Sequence, residues 1–179
     1  MVNKDHIHDL LVKYFHARSK ITILDTGVVN AHGSVHTKAV FDKLPVKFGQ
    51  VDGDFDCSTS NLKTLEGAPD RCEGDFDCSQ NQLTSLAHAP SYVQGRFWCN
   101  DNPLTSLEHL PAHVGGLVWC TPSPQLPILR LCMYEQVDFD DWDPKLAGIM
   151  EKYVGTGKAG AIKAATELIK AGFKGNARW

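Results

Sequence analysis

Phe76-Asp77-Cys78-Ser79-Gln80-Asn81-Gln82-Leu83-Thr84-Ser85-Leu86 is the stretch that decides the fold, because it recurs at a fixed step on both sides. Cys78 stands 21 residues from Cys57 and from Cys99, and Cys120 follows at the same step. Gly53, Gly74, Gly95 and Gly116 keep that spacing, as do Leu65, Leu86 and Leu107, with Ile128 continuing the row. Leu62, Leu83 and Leu104 form a further column that ends at Gln125, and Pro69, Pro90 and Pro111 form a fifth. Five columns in phase identify an internal repeat whose units stack on one another.

A period in the low twenties is that of a leucine-rich-repeat solenoid, with the pattern L-x-L-x-x-N-x-L-x-x-L. Phe76 and Cys78 take its first two Leu positions, Asn81 its Asn, and Leu83 and Leu86 its last two. Residues two apart on a strand point to one side, so Phe76 and Cys78 face the core. Asn81 is placed to bond loop backbone as the chain leaves the strand. The following Pro ends the far segment, since it has no N–H and a fixed φ, and the next Gly returns the chain to the sheet. The fold class expected is α+β: a short leucine-rich-repeat solenoid of 21-residue repeats with a single parallel sheet, capped by helices at both ends. Residues 1–52 form a helix and an irregular cap repeat, 53–137 the repeats, and 138–179 a helical cap.

The phrases Leu44 to Ser58, Asn81 to Pro90 and Asn102 to Pro111, with the closing run Gly157 to Trp179, resemble the leucine-rich-repeat proteins encoded by tailed bacteriophages. That resemblance implies the solenoid. It also implies a phage protein that binds and inhibits a host protein, in host takeover or anti-defence.

The caps have their own signals. Asn3 can cap a first helix whose Ile7, Leu10, Leu11, Tyr14 and Phe15 make one apolar face. Ile21 to Val40 reads as degenerate cap strands, and Leu129 to Val137 as a last strand. Asp143-Pro144 starts a second helix with Leu146, Ile149, Met150 and Tyr153 on its apolar side. Gly155-Thr156-Gly157 breaks it, and a third helix runs from Lys158 to Ala171 with Ile162, Ala165, Leu168 and Ile169 expected inside. Gly172 is the stop.

The chain has 179 residues, a net charge of −3 and six cysteines. That balance gives no general attraction to nucleic acid or to an anionic membrane. No apolar run approaches the roughly 18 residues of a membrane span, and the start lacks the basic and apolar regions of a secretory signal. The expected location is the cytoplasm, where thiols stay reduced. Four cysteines occupy a core column, and a straight row is not the convergent tetrahedral set that zinc requires; no metal or other cofactor is expected.

No catalytic set emerges. Gly155-Thr156-Gly157-Lys158 lacks the spacing of a phosphate loop and follows a helix instead of a strand. His6 and His8 lie on different helix faces. His88 and His109 share a column as two stacked positions, short of the three or more ligands a metal site needs.

The candidate site is therefore the solvent-facing side of the strands, where alternation sends the residues between the core columns. One outer column reads Asp54, Asp75, Arg96 and Leu117; the next reads Asp56, Asp77, Trp98 and Trp119. The expected role is a protein-binding surface, with Trp98, Trp119 and Arg96 as anchors. Asp54, Asp56, Asp75 and Asp77 would steer a host protein with a basic surface. Two plainer readings stay open: the aspartates only solvate an exposed sheet, and the tryptophans pack under the C-terminal helices. An enzyme or metal protein using the thiols and histidines is the alternative function. Nucleic-acid binding through Lys170, Lys174 and Arg178 is a second.

Overall fold

The computed structural model describes residues 2–17 and 20–179. The chain is a β-solenoid of about five turns, with a helix before it and helices after it. Helix α1 (Lys4–Tyr14) is capped by Asn3, whose side chain accepts from the His6 N–H, and buries Leu11. It leads into β1 (Phe15–Ala17), β2 (Ile21–Ile23), β3 (Val29–Ala31) and β4 (Val35–Thr37). The repeats then supply β5 (Phe48–Val51), β6 (Phe55–Asp56), β7 (Arg71–Cys72), β8 (Phe76–Asp77), β9 (Tyr92–Val93), β10 (Phe97–Trp98), β11 (His113–Val114) and β12 (Val118–Trp119).

The expected single sheet is corrected to two. Each turn gives one short strand to a seven-stranded sheet, ordered β1-β4-β6-β8-β10-β12-β13 with β13 at Val137–Asp138, and one to a six-stranded sheet, ordered β11-β9-β7-β5-β3-β2. The stretch between each Pro and the next Gly of the repeat column, to which the expected single sheet assigned no strand, supplies the second strand. Its inward residues Val51, Cys72 and Val93 stand in register and are fully buried. Parallel pairing throughout the repeats follows from the solenoid path, because every turn brings the chain back in the same direction.

The core lies between the sheets. Phe55, Phe76 and Phe97 stack in register, with ring centroids 5.7 and 5.5 Å apart. Cys57, Cys78, Cys99 and Cys120 are buried and unlinked, as the column predicts. Leu62, Leu83, Leu65, Leu86, Leu107 and Ile128 close the far side; where the Leu column runs out at Gln125, the adjacent Leu126 is buried instead. Asn81 binds its turn as the pattern requires. Its amide donates to the Cys57, Cys78 and Ser79 carbonyls, and its Oδ1 accepts from the Ser60 and Leu62 N–H groups at 3.1 and 2.9 Å. Asn102 repeats most of this one turn later.

Each turn also has left-handed corners. Gly67, His88 and His109 hold φ of +99°, +69° and +64° at one 21-residue step, and Thr59, Gln80 and Asp101 make a second such series. His88 and His109 are thus corner residues in a place where the earlier turn uses Gly.

The C-terminal cap differs from expectation in two places. Leu129–Met133 is a 3₁₀ helix instead of a strand, and the final strand is the short β13 (Val137–Asp138). Helix α2 (Pro144–Met150) starts at Asp143, whose carboxylate accepts from the Lys145 and Leu146 N–H groups. Helix α3 (Gly157–Ala171) ends at left-handed Gly172 but buries Gly160, Ala161, Ala164 and Leu168. Ile162 and Ile169 are 72% and 50% exposed, because the helix meets its neighbours through its small residues. Asn176 then seals the last turn, donating to the Ser123 and Leu126 carbonyls at 2.8 and 2.9 Å.

Candidate functional site: the outer face of the seven-stranded sheet

The strand register brings the outer residues into one row. His16 pairs with His36, His36 with Asp56, Asp56 with Asp77, Asp77 with Trp98, Trp98 with Trp119, and Trp119 with Asp138. Neighbours in such a row stand ~4.8 Å apart along the sheet. The sequence columns named the four central members. His16, His36 and Asp138 were missed because the step shortens to 20 residues before Asp56 and to 19 after Trp119.

The two columns of candidate residues have different jobs. Asp54 and Asp75 form a structural ladder: Asp54 Oδ1 accepts from the Asp75 N–H at 2.9 Å, and Asp75 Oδ1 from the Arg96 N–H at 2.7 Å. Ser34 Oγ begins the same ladder by accepting from the Asp54 N–H. These carboxylates close the corner beside the glycine column, a fixed task that leaves them less free to steer a partner. Asp56 and Asp77 close turns of their own. Asp56 Oδ1 accepts from the Ser58 N–H and hydroxyl at 2.9 and 2.7 Å, and Asp77 Oδ1 from the Ser79 N–H at 2.9 Å. His36 Nδ1 lies 3.4 Å from the second Asp56 oxygen. Burial pushes the Asp77 carboxyl above its usual range; Ser79 opposes this, and Asp56 and Asp75 add to it.

Trp98 and Trp119 are half-buried. Neither belongs to the core or to the partly buried apolar residues packed on it. The Arg96 guanidinium sits 5.8 Å from the Trp98 ring centroid, within range of a cation–π contact. The Trp98 indole N–H and the Asn100 side-chain oxygen, two residues along, are both shielded and unpartnered. Unmet buried groups of this kind are uncommon in a folded chain. The C-terminal helices pack on each other and on the 3₁₀ segment.

The alternative sites look different once placed. All six cysteines are buried. Burial pushes Cys120 up to about 12 and Cys72 up to about 11, so these thiols are protonated at neutral pH and shielded from attack. Among the described residues, no group of three or more His, Cys, Asp or Glu is placed to hold a metal. Of the basic C-terminal trio, Arg178 is engaged in holding the tail, donating to the Gly175 and Gln125 carbonyls. Among the described residues no helix is long and apolar enough to cross a membrane. Comparison of the chain with protein-family models, with curated proteins and with solved structures finds no match.

Proposed function

We propose that this chain is a protein-binding module that engages its target through the outer row of the seven-stranded sheet, with Trp98 and Trp119 as the apolar anchors and Arg96 beside them. The observation that carries this reading is the pair of half-buried tryptophans in adjacent register positions, outside the core, with the Arg96 guanidinium beside Trp98. Trp and Arg are the residue types that most often dominate binding energy at interfaces. The acidic half of the row, Asp56 and Asp77, favours a partner that presents basic groups on that side. The finer reading is a phage-encoded leucine-rich-repeat protein that binds and inhibits a host protein. It rests on the sequence phrases that suggested it.

The test begins with affinity capture from a bacterial lysate, using the wild-type chain and a Trp98→Ala, Trp119→Ala double variant side by side. A partner retained by the wild type and lost by the folded double variant supports the face. Titration of that partner should then show Trp98→Ala weakening binding by about 2 kcal/mol or more, chiefly through faster dissociation. Asp56→Asn with Asp77→Asn should slow association and flatten its salt dependence. Equal capture by both chains would reject this face as the binding site.

A further inference from the structure

The six-stranded sheet stops one rung early. In each earlier turn two carbonyls are taken by the next turn. Asp70 O accepts from Ser91 N and Ser91 O from Ala112 N, while Cys72 O accepts from Gln94 N and Val93 O from Gly115 N. The next members of the two series are Ala112 O and Val114 O, and among the described residues neither accepts a backbone hydrogen bond from another turn. By period, Met133 and Gln136 would supply the donors, but Met133 is the last residue of the 3₁₀ helix. Tyr134 instead reaches across with its hydroxyl, which donates to Pro111 O at 2.7 Å. Between β11 and this displaced segment lies a groove of about 520 Å³, bordered by His113, Arg130, Met133, Tyr134 and Trp179.

The outward row of the same sheet leads to this edge. Gln50, Arg71, Tyr92 and His113 stand in register. The Arg71 guanidinium lies 3.6 Å from the Tyr92 ring centroid, and the Tyr92 and His113 rings stack at 4.5 Å with 15° between their planes. The stack ends on His113 at the open edge.

We infer that β11 is a docking edge for an extended polypeptide segment of a partner, which adds as the missing parallel strand, donates to Ala112 O and Val114 O, and lays a planar side chain against His113. The two open carbonyls point to the occupant: their spacing matches the backbone N–H groups of an added strand, and edge addition of this kind is a general mode of peptide capture. His113 continues the stack on one side of the strand, and Met133, 50% exposed, offers apolar surface in the groove. This surface lies on the other sheet from the tryptophan row, so the inference stands apart from the proposed function.

The probe is a capped synthetic peptide copying Ala89 to Arg96, the rung that a next turn would repeat. It is titrated into the full chain, isotopically labelled, while backbone amide signals are followed. The expected result is saturable shifts confined to residues 110–115 and 133–135. A peptide methylated at the Ser91 and Gln94 amide nitrogens keeps every side chain and should bind about tenfold more weakly or worse, the loss of two backbone donors. No saturation, shifts centred elsewhere, or equal binding of the methylated peptide would each overturn the inference. So would a concentration-dependent dimer of the free chain with the same shifted residues, which would make a second copy the occupant.

Discussion

The two sheets of the solenoid are built by the same 21-residue turn and end differently. The seven-stranded sheet gains its last rung, because β13 pairs with β12 in parallel, and the Trp142 indole then donates to Cys120 O at 3.0 Å on that side. The six-stranded sheet ends at β11. The difference lies in the last turn. From Val118 to Val137 it spans 19 residues instead of 21, and Pro122, Pro124 and Pro127 deprive it of donors. In this shorter, proline-rich turn the strand of the six-stranded sheet is absent and a 3₁₀ helix stands in its place. Repetition therefore maintains the interior of an array, while each end needs residues that do not repeat.

The corner shared by both sheets is where the comparison breaks most easily. Gly53, Gly74, Gly95 and Gly116 stack there, each N–H after the first donating to the previous carbonyl at 2.9–3.0 Å. A Cβ on Gly95 would lie 2.2 Å from Asp75 Oδ1 and 2.8 Å from the Gly74 backbone. Gly95→Ala must push adjacent turns apart or expel the Asp75 carboxylate from its ladder. A loss of about 3 kcal/mol is expected, at the upper end for overpacking. Urea denaturation followed by circular dichroism checks it. A midpoint close to the wild type would mean that the corner yields and that the sheets are coupled elsewhere.

Interior and end can be compared through one residue type. Asn81 makes five hydrogen bonds within the array, whereas the Asn176 amide makes two at its end. Asn81→Ala should destabilise the whole chain by about 2–3 kcal/mol, the cost of leaving several buried backbone groups unmet. Asn176→Ala should cost about 1 kcal/mol globally, with faster amide exchange concentrated at Leu126 to Leu129 and the tail. Equal and global effects would show that the terminal plug and the interior asparagine belong to one cooperative unit.

The interior was legible in the sequence because its columns are chemically uniform. Cys, Leu, Pro and Gly at a constant step set the register, the buried thiols and the role of Asn81. The second sheet escaped because its repeat strands, such as Arg71-Cys72, Tyr92-Val93 and His113-Val114, carry no uniform column. Val51, Cys72, Val93 and Val114 do recur in phase, but the column changes residue type and its neighbours vary from turn to turn. In the C-terminal helix the periodicity of Ile162 and Ile169 suggests burial. Gly160, Ala161 and Ala164 decide the packing instead, since small residues permit the closer approach. The outer row was half legible: alternation found Asp56, Asp77, Trp98 and Trp119, but not that Asp54 and Asp75 accept from the next turn's backbone. The repeated Gly-Asp pair was the signal for that ladder.

A gentler probe compares corners of successive turns. Gly67 and His88 occupy the same left-handed position, with φ of +99° and +69°. A residue with a Cβ is strained in that conformation and Gly is not, although Gly loses more freedom on folding. His88→Gly should therefore stabilise by about 0.5 kcal/mol, read as a rise in the urea midpoint. A fall would mean that the exposed imidazole makes a contact worth more than the strain.

The smallest effect concerns Asp77, where the acidic and aromatic halves of the outer row meet. Burial holds its carboxyl above the ordinary value of 3.8 in the folded chain. As pH rises from about that value, the unfolded chain releases this proton before the folded chain does. The unfolded state gains from the rise, so this group's contribution favours folding at low pH and diminishes as pH climbs through the folded-state range. Asp77→Asn keeps a side-chain oxygen for the Ser79 N–H and removes both the buried charge and its repulsion from Asp56 and Asp75. The variant should be slightly more stable than the wild type at neutral pH, with the advantage vanishing as pH falls below the unfolded value. Paired urea titrations across that range give the comparison directly. If Asp77→Asn is instead the weaker chain at neutral pH, the ionised carboxylate is being held by the Ser79 N–H more strongly than burial penalises it. The acidic half of the row would then belong to the scaffold, and Trp98 and Trp119 alone would carry the binding surface.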